Sequence, residues 1–457
     1  MAVPQTRAAD SDTPSGFRYL LGLRDFRLIW VAQVAAQLAD KFLMFSLIIL
    51  AYRLSRGSTE VAITLLAYTV PAVVIAPLAG VFADRHNRKA IMIGTNVVRA
   101  LLVALIPLSS MVPALGHDYI HLLVLTFAFA AVGQLFSPAE AAAIPSVVPR
   151  QALITANSMV LATMVITLVV GAPLAPVVSR FDIYSPYWIA AALFGGAAML
   201  ILFAHIPLIA REPSGTERHP FKQLAVELKE GMDTLRKSPV LLLTFYQLSL
   251  AVLVMFVMFT LAPAYATRVI GIGEQDTYVI LVPATVGALA SALVLGQLGR
   301  RLSRPRLLVV ALLGTGLTLL VMAAIPSLLG RLDHLQHWMR LFGAAFSFML
   351  GLGFGTMMIP ALSYLMENTS DSVRGRVFAM LFMVVNGATA LPVLLTAALS
   401  DVVGTNRVIG GLGVLLAATG LLTARYAARV FGPATQTSPA SPPPRSHPPP
   451  PGSRPAG

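Results

Sequence analysis

The chain has 457 residues, of which 56% are hydrophobic and only 12% are charged. About 25% charged residues is normal for a soluble protein, so the composition predicts an integral membrane protein and excludes an ordinary soluble domain. The absence of cysteine excludes disulfides, cysteine nucleophiles and thiolate metal sites. The eight histidines lack the spacing of metal ligands, so we predict no metal, and we find no site for another cofactor.

Hydrophobic runs long enough to cross a bilayer recur along nearly the whole chain. A helix rises 1.5 Å per residue, so about 20 apolar residues cross a hydrocarbon core of about 30 Å. Only helices and closed barrels satisfy their backbone hydrogen bonds in lipid, and the short alternating segments of barrels are missing. We therefore predict an all-α protein with twelve transmembrane helices, approximately at 28–50, 60–82, 91–112, 121–144, 157–179, 186–209, 240–266, 277–298, 306–328, 341–363, 377–399 and 408–429.

Within the first span, Gln33, Gln37 and Asp40 share one helical face because they are spaced i, i+4, i+7. An ionisable group at this depth costs roughly 2.5 to 3.5 kcal/mol on insertion scales unless it faces water or a partner. The pattern predicts a polar stripe that lines a water-accessible cleft, where Asp40 binds and releases protons. The alternative is a structural Asp40 that is neutralised by Lys41 or by a neighbouring helix.

Two basic residues also lie within spans and are candidates for ion pairs. Lys41 is about 100° around the helix from Asp40, so it either pairs sideways with an acid or extends to the membrane interface. Arg99 lies nine residues into the third span, and its long stem predicts that it reaches the cytoplasmic interface. The alternative for Arg99 is a partnership with Asp40 or with Asp84.

Two acidic residues lie towards the inner ends of spans 4 and 10. Glu140 and Glu367 could line an inner vestibule, but we expect each to form an ion pair, with Arg150 or Arg374 as the partner. In span 7, Tyr246 and Gln247 are candidates for the substrate cavity, and core packing is the alternative there.

The segment 210–239 is polar, and it separates six predicted spans from six. The loop after span 2 also aligns with the loop after span 8 at an offset of 216 residues, which indicates an internal duplication. We predict a cytoplasmic tail at 1–17, a central cytoplasmic loop at 210–239 and a disordered Pro-rich cytoplasmic tail at 431–457. Between these segments we predict two pseudo-symmetric six-helix bundles around a central cavity, at 18–209 and 240–430.

The two aligned loops carry clustered charge. The first contains Gly80, Asp84, Arg85, Arg88 and Lys89. The second contains Gly296, Arg300, Arg301 and Arg304, so an arginine replaces the acid of the first copy. Only the first loop therefore carries an acid that can pair with its basic residues or sit against a neighbouring helix N-terminus, and topology anchoring is the alternative for its basic residues.

The net charge of +13 is distributed unevenly across the predicted membrane. If both termini are cytoplasmic, the inner segments hold 24 of the 33 Lys and Arg residues and the outer segments hold seven. This bias follows the positive-inside rule, so we predict a multi-pass protein of the cell inner membrane with both termini in the cytoplasm. Nucleic-acid binding is excluded because phosphate contacts need a contiguous basic face.

The loop GVFADRHNRK at 80–89, the twelve spans and the duplicated halves together resemble the major facilitator superfamily over about 18–430. The segments 33–42, 136–157 and 373–379 are similar to the macrolide and siderophore exporter branch of the drug:proton antiporters. The resemblance implies a transporter, not an enzyme, that exports small amphipathic compounds by proton-coupled alternating access. It also implies that Asp84 latches the halves near Arg374 and Arg376 at the start of span 11.

The implied partners are a small-molecule substrate, protons and the lipid bilayer, and we predict a monomer. Two other functions remain open at this point. Span 1 and the SPA segment of span 4 are also similar to lysophospholipid and lipid carriers of the same fold. The third interpretation is a transport-inactive scaffold or sensor whose Pro-rich tail recruits a partner.

Overall fold

A computed structural model describes residues 16–112, 118–207, 239–298, 304–329, 336–367 and 389–430, with a few residues between 226 and 236. These residues form helices joined by short turns, and no strand occurs among them. The two tails and most of the central loop predicted from the sequence lie outside this part of the chain, so those domain boundaries stay predictions.

The N-terminal half contains nine α-helices in the segments that the structure describes. A short helix, α1, lies before the first span. Helix α4 is separated from α3 at Pro77, its second residue, because proline lacks the N–H that would continue the hydrogen-bond ladder. The helices are α1 (Phe17–Gly22), α2 (Arg24–Ser55), α3 (Ser58–Val74), α4 (Ala76–Arg85), α5 (Arg88–Ser110), α6 (Tyr119–Gly133), α7 (Phe136–Val147), α8 (Leu153–Ser179) and α9 (Ser185–Phe203).

The C-terminal half begins with a long helix that ends in a π-helical turn, Ala266–Ile270. Gly271 follows this turn with a φ of 76°, a left-handed conformation that glycine adopts without strain. The described helices of this half are α10 (Pro239–Tyr265), α11 (Tyr278–Leu298), α12 (Arg304–Leu329), α13 (Gln336–Glu367), α14 (Ala390–Val403) and α15 (Thr405–Val430).

Ten helical segments of the described chain are long and apolar enough to cross a membrane. Where the sequence predicts spans at 60–82 and 377–399, the structure shows the shorter apolar helices α3 and α14. The α-helical, multi-pass membrane class is therefore confirmed. The arrangement as twelve helices in two six-helix bundles around a central cavity stays a prediction.

Glycine allows two helices of the C-terminal half to pack backbone to backbone. A Cβ at Gly351 of α13 would overlap the carbonyl oxygen of Ala284, and a Cβ at Gly287 of α11 would overlap that of Phe348. The glycines at 351–355 therefore serve close helix packing, as their position inside an apolar span predicts. We call this contact the glycine seam.

The two halves pack against each other through α3 with α14 and through α8 with α11. One apolar core runs through both halves, and α2 lies inside it with most of its second half buried. Between the halves, α3, α10 and α14 line a small recess with Leu65, Thr69, Phe256 and Val393. The fold thus places α3 at the contact between the halves.

Candidate functional site

Asp40 lies at the centre of a charged cluster inside the N-terminal half. Its carboxylate forms an ion pair with Arg99 of α5, and Lys41 Nζ lies 3.4 Å from Oδ2. The hydroxyl of Tyr68 on α3 donates a hydrogen bond of 2.6 Å to the same oxygen. Donors from α2, α3 and α5 therefore converge on one carboxylate, whose side chain stays 24% exposed. We call these four residues the Asp40 network.

Arg99 is held by aromatic rings as well as by Asp40. Its guanidinium carbon lies 4.3 Å from the ring centroid of Phe129 and 4.2 Å from that of Phe194, within the range of cation–π attraction. Gly133 of α6 lies beside this guanidinium, and a Cβ there would lie 3.4 Å from it, at van der Waals contact. The prediction that Arg99 reaches the membrane interface is therefore wrong, because an anion and two ring faces attract its charge inward.

The other members of the span 1 stripe have different surroundings. Gln37 is partly exposed, and its Oε1 accepts a hydrogen bond of 3.3 Å from Thr167 of α8. Gln33 is fully buried, and neither of its side-chain polar atoms has a partner among the described atoms. The stripe is therefore partly exposed at Asp40 and Gln37 and fully buried at Gln33, two turns away.

Glu140 of α7 is buried, with 6% exposure. Its Oε1 has no hydrogen-bond partner, and no basic group of the described chain lies within ion-pair distance. The predicted ion pair with Arg150 is therefore wrong, because Arg150 is exposed while Glu140 is buried, and Arg374, the other predicted partner, lies outside the described residues. The side chain of Glu367 lies outside the described part, so its pairing stays a prediction.

The span 7 residues do not join the Asp40 network. Tyr246 is half-exposed, and Gln247 is buried with its Nε2 donating a hydrogen bond of 3.3 Å to Thr423 Oγ1 of α15. Gln247 therefore packs within the C-terminal half, which agrees with the core-packing alternative for that residue.

The basic residues of the first charged loop that begin α5 bind carbonyl groups of neighbouring helices. Arg88 Nη1 donates to the carbonyl of Ala142 at 2.9 Å, and Lys89 Nζ donates to the carbonyl of Leu202 at 2.9 Å. Arg85 is exposed, and Gly80 lies inside α4. These contacts anchor α5 to α7 and α9 within the same half.

The proposed latch itself cannot be placed. Arg374, Arg376, Arg300 and Arg301 lie outside the described residues, as do the side chains of Asp84 and Arg304. Gly296 falls in the last turn of α11. The acidic latch and its repeat equivalent stay predictions.

A polar cluster that sequence reasoning missed joins the two halves. Asp401 of α14 accepts hydrogen bonds from the backbone N–H groups of Ser58 at 3.0 Å and Thr59 at 2.8 Å, and from the Thr59 hydroxyl. Arg268 Nη1 forms an ion pair with Asp401 at 3.0 Å, and this guanidinium also donates to the carbonyl of Arg56. We call these five residues the inter-half cluster.

Charge at the cluster is well compensated. Burial raises the pKa of Asp401, but the hydrogen bonds from Ser58, Thr59 and Arg268 outweigh this effect, and the net pKa lies below its ordinary value. Nearby, the hydroxyls of Tyr52 and Thr267 lie 2.7 Å apart and add a second contact between the halves.

Comparison with known proteins identifies the family. The sequence profile described as Major Facilitator Superfamily matches residues 29–393. The chain belongs to the Major Facilitator Superfamily. Members of this superfamily are transporters and not enzymes, so the chain is a multi-pass membrane transporter.

Relatives and solved structures agree with this assignment. Macrolide efflux protein A of Streptococcus pyogenes is 22% identical over 390 residues, which cover 84% of this chain and 91% of the relative. An MFS-type transporter of Mycobacterium tuberculosis is 26% identical over 195 residues, and this alignment spans only 42% of either chain.

Among solved structures, a bacterial homologue of the human lysosomal transporter Spinster, in an inward-facing and unoccupied conformation, superposes with a TM-score of 0.63 at 12% identity. The match covers 89% of this chain and 97% of that one. At this identity the likeness shows a shared fold alone.

Proposed function

We propose that this transporter is a proton-coupled exporter of small amphipathic compounds, which works by alternating access between residues 18–209 and 240–430. The observation that carries the proposal is the partly exposed Asp40 network inside a bundle of apolar helices. Charged groups at that depth are costly, so they mark a pathway by default. The efflux function of the macrolide exporter named above supports the substrate class.

The Asp40 network is connected to the contact between the halves through a single helix. Tyr68 of α3 donates to Asp40, and ten residues earlier Ser58 begins the same helix at Asp401 of the other half. At 1.5 Å per residue these two points are about 15 Å apart. Breaking the hydrogen bond between Tyr68 and Asp40 would let α3 shift against α14.

We assign the inter-half cluster to the outer face of the membrane. The positive-inside bias places the end of α2 and the start of α3 outside, with both termini in the cytoplasm. The halves are joined at this end through Asp401 and Arg268. The conformer is then one in which the outer entrance is closed, and export requires the cluster to separate.

Substitution of Asp40 tests the function. Asp40→Asn keeps the shape of the side chain but removes the charge that binds Arg99 and Lys41. In an efflux-deficient bacterial host, we expect the wild type to raise the minimum inhibitory concentrations of erythromycin and ethidium, and the variant to return them to those of the empty vector. Proteoliposomes with a pH gradient should show the same loss of erythromycin movement.

The matched control is Asp182→Asn, which changes an acid in the turn between α8 and α9, where it bonds only Ser185 among the described side chains. We expect this variant to behave as the wild type. Exchange at the wild-type rate by Asp40→Asn would remove Asp40 from the mechanism. A wild type that ignores the pH gradient would reject proton coupling.

A further inference from the structure

Glu140 is a buried acid that the Asp40 network does not use. Its side chain is 6% exposed, its Oε1 has no partner, and the adjacent Ala139 and Ala143 belong to the apolar core. An isolated ionised carboxylate is very costly in such surroundings unless a cation or hydrogen-bond donors compensate it. The geometry therefore suits a neutral carboxylic acid.

The charged groups on the helices that pack against α7 are engaged elsewhere. Arg88 donates to the carbonyl of Ala142, Arg99 and Lys41 bind Asp40, and α8 carries no titratable side chain. The remaining titratable groups with described side chains lie at the ends of those helices: Arg24, Asp25, Arg27, Tyr52 and Arg53 of α2, Arg85 of α4, Lys89 of α5, and Tyr119 and His121 of α6. Among the described groups, none compensates a charge on Glu140.

The helical register places Glu140 in a second polar layer with Gln33. Gly133 at the end of α6 lies beside the Arg99 guanidinium, and Glu140 in α7 follows it by seven residues across a two-residue turn, a rise of at most about 10 Å. Gln33 precedes Asp40 by the same distance. Helices α2 and α6 run antiparallel, because Tyr119 at the start of α6 donates to the carbonyl of Glu60 in the first turn of α3, which follows the end of α2. Both buried groups therefore lie two turns from the Asp40–Arg99 pair, towards the predicted cytoplasmic end.

We propose that Glu140 is the group that carries the coupled proton, an inference that rests on the proton-coupled export proposed above. In the present conformer the carboxyl is protonated. When water reaches α7 from the cytoplasmic side, the O–H bond breaks, the proton passes to water and the carboxylate remains. In the opposite conformer that carboxylate takes one proton from outer water. Asp40, whose charge Arg99 and Lys41 balance, holds the network together during this cycle.

Infrared spectroscopy tests the protonation directly and needs no substrate. The purified full-length protein at pH 7 is compared with Glu140→Gln in the region of the carboxylic acid C=O stretch. We expect a band in the wild type, in Asp40→Asn and in Asp182→Asn that disappears in Glu140→Gln. An identical spectrum in Glu140→Gln would overturn the assignment.

Transport of labelled erythromycin in proteoliposomes tests the coupling. Because glutamine resembles the neutral acid, Glu140→Gln should fold and keep exchange of erythromycin without a gradient. It should lose about tenfold or more of the transport driven by a pH gradient, a factor within the usual range of coupling between sites. Glu140→Asp, which restores a carboxyl, should recover part of this transport.

The outcomes separate this inference from the proposed function. Gradient-driven transport at the wild-type rate in Glu140→Gln overturns the role of Glu140 and leaves proton-coupled export intact. A wild type that transports erythromycin independently of the gradient overturns proton coupling, and with it the role of Glu140 in coupling. A variant that loses exchange as well as gradient-driven transport while remaining monodisperse would make Glu140 structural, which also contradicts the proposal.

Discussion

Thr59 donates its backbone N–H to the carboxylate of Asp401 at 2.8 Å, although the two residues belong to opposite halves of the chain. Helix α3 has no side-chain cap of its own, because Gly57 precedes it. Asp401 therefore caps α3 from the other half and places a negative charge at the positive end of the helix dipole. Contact between the halves therefore supplies the hydrogen-bond acceptors for the N–H groups of Ser58 and Thr59 in the first turn of α3.

Removal of this charge should open the outer end. Asp401→Asn keeps one acceptor oxygen but removes the negative charge that pairs with Arg268 and faces the positive end of α3, so it is expected to weaken the contact by about 1 kcal/mol. The natural chain lacks cysteine, so spin labels at Phe181→Cys and Val402→Cys report the distance between the halves without interference. We expect a longer distance population in Asp401→Asn, whereas Asp182→Asn should match the wild type. An unchanged distribution would show that Asp401 does not hold the halves together.

The same labels test the pH dependence of the contact. The pKa of Asp401 is lower in the folded protein than its ordinary value of 3.8. Because the pKa is lowered, the Asp401 contact stabilises the closed form fully at pH values above the ordinary pKa. It loses this effect as the pH falls through the lowered pKa. In a Glu140→Gln background, the distance should stay constant from about pH 8 to 5 and lengthen only below about pH 4. Opening between pH 6 and 7 would contradict this assignment.

Loss of Arg99 alone should destabilise the protein more than the loss of both Arg99 and its partner Asp40. Arg99→Gln leaves Asp40 with Lys41 and Tyr68 only, and we expect a cost of about 2 kcal/mol, below the 3 to 5 kcal/mol typical of a fully buried pair because Asp40 is partly exposed. The double variant with Asp40→Asn should recover part of the thermal stability. Thermal unfolding in detergent measures both, and strictly additive effects would indicate that the two residues do not interact energetically.

Arg99→Lys should not restore the wild type. A lysine ammonium can reach Asp40, but it is not planar and cannot stack on the rings of Phe129 and Phe194 as the guanidinium does. We expect a lower unfolding temperature than in the wild type and a partial loss of erythromycin resistance. Full resistance and full stability in Arg99→Lys would mean that only the positive charge matters at this position.

The glycine seam offers a paired test of packing. Gly351→Ala should be destabilising by several kcal/mol or prevent folding, because its methyl group would overlap the carbonyl of Ala284. Gly314→Ala in α12 is the matched control, since a Cβ there meets nothing within 4 Å. The control should be neutral or slightly more stable, because alanine favours helix by about 1 kcal/mol over glycine. Equal behaviour of the two variants would disprove the close contact.

The sequence was sufficient to predict the membrane class and the place of Asp40 in the first span, because both depend on composition and on helical periodicity. It also located Arg99, but it predicted the wrong direction for its side chain. A long side chain in a span can extend to the interface or turn inward, and only the positions of Phe129 and Phe194 on other helices decide between these.

Contacts between distant residues were beyond sequence reasoning. Arg268 and Asp401 are single charges near the ends of spans 7 and 11, which could have marked each of them, yet no spacing pairs residues 133 positions apart. Glu140 was recognised, but its charge suggested an ion pair. The structure shows that no described basic side chain reaches it, because Arg99 binds Asp40, Arg88 and Lys89 bind backbone carbonyls, and others lie at the ends of the neighbouring helices.

At the glycine seam no side chain separates the backbones of α11 and α13, so neither helix can slide or rotate past the other without breaking both contacts. Helices α11 and α13 therefore move together as one rigid unit. Helix α14, which holds Asp401, takes no part in this seam, so its contact with α3 can open without separating α11 from α13.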